Sequence, residues 1–103
     1  MQYQLTLQFR GDALADYDAM VALEEQLANA LGDSAEVDGH DCGSGETNIF
    51  ILTPDPVRSF RSITPLLEHS GRLGSLTAAY RDSAGEDYTV VWPEGSQEVF
   101  TVA

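Results

Sequence analysis

The densest set of side chains able to do chemistry lies in Asp38-Gly39-His40-Asp41-Cys42-Gly43-Ser44-Gly45-Glu46-Thr47-Asn48. Titratable groups and glycines that let a ligand approach the backbone occur together there. Asp38, His40, Asp41 and Glu46 could supply a mixed nitrogen and oxygen shell for a metal ion, or polar contacts for a small ligand. No recognised metal-ligand spacing is present, and the second histidine, His69, is distant in sequence. No metal or other cofactor is therefore expected. The competing reading is a hairpin whose turn needs glycines and whose edge strand carries charges that discourage edge-to-edge pairing.

His40 and Cys42, two apart on a strand, share a side, as a base and a nucleophile must. A reactive thiolate needs positive surroundings, whereas Asp38, Asp41 and Glu46 are all negative. Cys42 is read as inert, and no catalytic residue is assigned. Gly43-Ser44-Gly45-Glu46 lacks the lysine and the following helix of a phosphate-binding loop. Arg58 and Arg61, one helical turn apart, could receive a carboxylate or phosphate. Exposed charges at that spacing more often form a solvated face.

Charge narrows the partners further. Seventeen acidic residues face five basic ones, all arginine, for a net charge of −12. A surface of this sign repels phosphate backbones and anionic lipid, which argues against nucleic-acid and membrane-surface roles. Its electrostatic complement is a basic protein. The single cysteine excludes an internal disulfide. Met1-Gln2-Tyr3-Gln4 lacks the basic and apolar run of a signal peptide, and no apolar stretch approaches the roughly 20 residues that cross a bilayer. A cytoplasmic protein is the default expectation. The 103 residues suit one domain, 1–103, with 43% hydrophobic residues to build its core.

The elements that must position these groups are legible from periodicity. Tyr3, Leu5, Leu7 and Phe9 alternate with Gln2, Gln4, Thr6 and Gln8, the pattern of a strand with one buried and one wet face. A helix follows over about 13 to 31, with Asp12 as N-cap. Its stripe is Leu14, Tyr17, Val21, Glu24, Leu27, Ala28 and Leu31, flanked by Met20 and Leu23. Residues 35–53 read as a hairpin, with a polar edge strand and a central strand apolar on both faces. Asp55-Pro56 opens a second helix. Its buried stripe is Val57, Phe60, Ile63 and Leu67, Pro65 is expected to kink or split it near Arg61–Thr64, and Gly71 ends it. A strand over Leu76 to Arg81 and another over Glu86 to Trp92 follow, the latter with Tyr88, Val90 and Trp92 on one face. Val99 to Val102 can form a further short strand.

The order β-α-β-β-α-β-β predicts an α+β fold, the ferredoxin-like split β-α-β sandwich: an antiparallel sheet with both helices on one face. On the other face the central strand places either Ile49 and Ile51 or Phe50 and Leu52. With Ala79 and Val91 nearby, Phe50 and Leu52 would make a mixed apolar patch of the kind that marks an interface, a homodimer interface among the options.

Asp41-Cys42-Gly43-Ser44-Gly45-Glu46-Thr47-Asn48-Ile49-Phe50-Ile51, with Asp55-Pro56, Phe60, Tyr88 and Trp92-Pro93, resembles a family of small uncharacterised bacterial α/β proteins with a Gly-Ser-Gly-Glu hairpin. The resemblance implies a bacterial origin and a compact α/β fold, and it carries no activity. The expectation is therefore a protein without enzymatic activity that binds another protein, either itself or a basic partner. One form is an immunity- or antitoxin-like protein that masks a basic effector. The alternative is a small-molecule or metal-binding domain using His40, Asp41 and Glu46.

Overall fold

The computed structural model of the chain describes residues 2–11, 17–43, 45–95 and 100. The alternating N-terminal segment forms β1 (Tyr3–Arg10), the middle strand of a five-stranded sheet. The other elements are α1 (Tyr17–Leu31), β2 (Glu36–Gly43), β3 (Glu46–Thr53), α2 (Pro56–His69), β4 (Leu76–Asp82) and β5 (Thr89–Trp92). The strands lie in the order β2-β3-β1-β4-β5, and every neighbouring pair is antiparallel. This is the split β-α-β sandwich with one strand added beside β4. The possible last strand, Val99 to Val102, lies outside the described residues except for Phe100. No helix among the described residues is long and apolar enough to cross a bilayer.

Both helices cover the sheet face that carries Leu5, Leu7, Phe9, Ile49, Ile51, Leu76 and Ala78. Burying each of the larger side chains contributes roughly 1.5–3 kcal/mol. From α1, Met20, Leu23, Leu27 and Leu31 enter this core. The stripe is therefore rotated from the sequence expectation: Tyr17 is 66% exposed, Val21 and Glu24 lie half-buried on its flank, and Ala28 is exposed, while Leu14 and the expected cap Asp12 lie outside the described residues. Met20, Leu23, Leu27 and Leu31 place four large apolar groups on one line, which buries more surface than a line containing Glu24 and Ala28.

At the start of α2, Asp55 Oδ1 accepts the backbone N–H of Arg58 at 3.1 Å, and Pro56 follows the cap. Phe60, Ile63 and Leu67 are buried as expected, but Val57 is 40% exposed. Ser59 is buried instead, its hydroxyl 2.6 Å from that of Thr53. Pro65 does not split the helix. It lies on the exposed side, where the carbonyl it leaves unpaired can face water, and the Thr64 hydroxyl donates to the Phe60 carbonyl at 2.7 Å. Gly71, at φ +71°, ends α2 in a Schellman motif: Arg72 N–H donates to Leu67 O and Gly71 N–H to Glu68 O.

Two expectations about the sheet change. The face of β1 opposite the helices is not wet: Thr6 is 0% and Gln8 9% exposed. β1 is flanked by β3 and β4, and the β4 side of this outer face is covered. Tyr88 reaches Gln4 Oε1 at 3.5 Å, and its ring lies 4.8 Å from that of buried Phe100, tilted by 56°. The strand expected from Glu86 begins only at Thr89. Arg81 Nη1 donates to the carbonyls of Asp82, Ser83 and Gly85, while Asp82 Oδ1 accepts from Ala84 N–H. Those contacts hold the chain in a loop where a longer hairpin would need it extended.

Thr6 Oγ1 finds no hydrogen-bond partner among the described residues, although it is buried. A buried unsatisfied hydroxyl costs about 1–3 kcal/mol. Thr6→Val keeps the shape and the β-branched preference and should raise unfolding stability by about 1 kcal/mol, measured by urea denaturation.

Candidate interaction surface

In an antiparallel sheet, directly opposed residues share a face, so register assigns the 38–48 residues. His40 opposes Ile49, a core residue, and therefore faces the helices. Its Nδ1 lies 3.2 Å from Glu24 Oε1 of α1, and its ring meets Tyr17 edge-on at 6.2 Å. Asp41 opposes Asn48 on the outer face, where Asn48 Oδ1 and Glu46 Oε1 each accept a hydrogen bond from Gln8 Nε2 at 3.1 Å. The hairpin thus sends His40 to one side and Asp41 and Glu46 to the other. Glu46 is engaged in holding the buried Gln8 amide. Cys42 is exposed on the His40 side, and no arginine belongs to α1, β2 or β3. Among the described residues, no group of three His, Cys, Asp or Glu side chains is placed to hold a metal ion.

The four apolar candidates divide differently. Phe50, Leu52 and Ala79 belong to the outer face, as their partners Thr6 and Gln4 show. Ala79 is fully buried, whereas Phe50 and Leu52 are half-buried. Val91 is on the other side. A register shift inserts it between Val90, which opposes Ala79, and Trp92, which opposes Ala78, so it packs with Trp92 against the helical layer. Alternation alone assigns Tyr88, Val90 and Trp92 to one face; the bulge separates Trp92 from Val90.

On the β2–β3 side of the outer face, the half-buried apolar residues are Phe50 and Leu52. Leu52 opposes Glu36, Phe50 opposes Gly39, and Asn48 opposes Asp41. Gly39 adopts φ +151° beside the bulge at Asp38, and a Cβ there would meet nothing within 4 Å. The ring of Phe50 therefore has open space on its β2 side. Glu36, Asp38 and Asp41 are all exposed along this edge strand.

Charge is distributed unevenly over the fold. Between Arg10 and Arg58 lie eleven of the chain's 17 acidic residues and no basic one. That stretch builds α1, β2 and β3, while the arginines sit at the end of β1, on α2, in the loop after it, and on β4. Periodicity could not find this polarity, but reading the spacing of the arginines together with the strand order does. At the start of α2, a hollow of about 440 Å³ is lined by Asp33, Asp55, Arg58, Ser59 and Ser62. Three of its side chains are already engaged: Asp55 caps the helix, Ser59 bonds Thr53, and the Ser62 hydroxyl donates to the Arg58 carbonyl.

Compared with family models, curated proteins and solved structures, the chain matches none.

The geometry ranks the polar contacts of the hairpin. Gln8→Ala removes the donor to buried Asn48 Oδ1 and to Glu46, and should cost about 2 kcal/mol in denaturant unfolding. His40→Ala breaks only a partly exposed pair and should change stability by less than about 1 kcal/mol.

Proposed function

We propose that this protein is a non-enzymatic interaction module whose α1–β2–β3 half docks a basic protein partner. The observation that supports this reading is a half-buried apolar pair, Phe50 and Leu52, bordered by the exposed carboxylates Glu36, Asp38 and Asp41 of β2, in a stretch with no lysine or arginine. Apolar anchors inside a charged rim are the usual anatomy of a binding surface. The acidic field would speed encounter with a basic partner more than it would add affinity. The same field opposes self-association, because two copies meeting through this surface would bring like charges together. The bulge and carboxylates of β2 also discourage edge-to-edge pairing. A protein that masks a basic effector fits this chemistry.

Capture from a lysate of the source cells, at salt concentrations of about 50 and about 500 mM, tests the reading. The wild type should retain a basic protein in stoichiometric amount at the lower salt, and Glu36→Lys/Asp38→Lys/Asp41→Lys should lose it. With that partner purified, the triple reversal should slow association by about tenfold or more. Phe50→Ala should instead speed dissociation. Equal retention by the charge-reversed protein, or no stoichiometric partner at either salt, would refute the proposal.

A further inference from the structure

Away from the acidic half, a groove of about 270 Å³ runs between α2 and the end of β5. Phe60 and Trp92 form its aromatic part, with ring centroids 6.2 Å apart and planes tilted by 36°. Val57 and Val91 extend the apolar lining. Val57 is one of two large apolar side chains exposed among the described residues, the other being Tyr17 on the far helix. The polar atoms in the walls are already used: Trp92 Nε1 donates to Leu73 O at 3.1 Å, and the Thr64 hydroxyl donates to Phe60 O. The side chains of the walls thus offer an occupant mainly apolar contact.

Charge appears only at the rim, on exposed Arg61 and Glu94. Arg61 meets no carboxylate or hydrogen-bond acceptor among the described residues. A guanidinium presents paired donors that match a carboxylate. Glu94 at the same mouth opposes a second negative charge.

We infer that the groove between α2 and β5 binds a small monocarboxylic acid with an aromatic or branched apolar body, the body lying on Phe60, Val91 and Trp92 and the carboxylate on Arg61. A volume of about 270 Å³ suits one ring with a short acid chain, below the usual size of a drug-like site. The site lies on a different part of the fold from the proposed protein-docking surface, so either can fail without the other.

Trp92 is the only tryptophan, so its fluorescence reports occupancy directly. The purified protein is titrated with 3-phenylpropionate, with the matched alcohol 3-phenylpropan-1-ol and with 3-phenylpropylamine. The carboxylate should give a saturable change and bind at least about tenfold more tightly than the alcohol or the amine. Arg61→Gln should remove that preference, and Val57→Asp should abolish binding of the acid and the alcohol. Both positions are exposed, and circular dichroism checks that the variants fold. Equal binding of acid and alcohol, tighter binding of the amine, an unchanged Arg61→Gln profile, or no saturable signal up to about 10 mM acid would each overturn the inference.

Discussion

A strand bonded along both edges and covered on both faces must satisfy every group it carries from within the protein, and β1 is in that position. β3 and β4 take its backbone groups, and the helical layer takes Leu5, Leu7 and Phe9. Its other face is closed by neighbouring side chains and, toward β4, by Tyr88 and Phe100. Gln8 meets the demand by binding Asn48 and Glu46, which also fixes where the 38–48 hairpin leaves the sheet. Thr6 Oγ1 finds no partner among the described residues, and the strand carries that cost at its centre.

This buried centre separates two unlike halves. On one side, α1, β2 and β3 carry carboxylates and no lysine or arginine of their own; on the other, α2 and β4 carry most of the arginines. Opposite charges that could neutralise each other in a mixed surface are held apart by the fold, so the protein presents a directed field rather than a diffuse negative charge. The half-buried Phe50 sits inside that field beside Gly39, which gives β2 no side chain to cover it, and Leu52 lies opposite the carboxylate-bearing Glu36.

Much of the fold was legible because it depends on short-range patterns. Alternation identified β1, the cap Asp55-Pro56 located α2, and the glycines after Cys42 located the hairpin. The order of elements then implied the sheet topology. The misreadings share a cause, which is tertiary context. The polar residues of β1 become buried only when β3, β4 and the Tyr88–Phe100 pair close over them. Val91 changes sides through a bulge that alternation does not encode, and Arg81 collects three carbonyls to shorten β5. Of the candidate site, alternation paired Phe50 with Leu52 against Ile49 with Ile51, and only the register on β1 assigns the first pair to the outer face. The separation of His40 from Asp41 and Glu46 followed only from register, and its pairing with Glu24 only from the packing of α1 on the sheet.

The most direct test of the acidic docking surface is a map of backbone amide shifts in the isotopically labelled protein as a short peptide of alternating lysine and leucine is added. The account predicts shifts concentrated at Glu36, Gly39, Asp41, Phe50 and Leu52 that disappear at about 0.5 M salt. Shifts centred on α2 and β4, spread evenly over the surface, or unchanged by salt would contradict it.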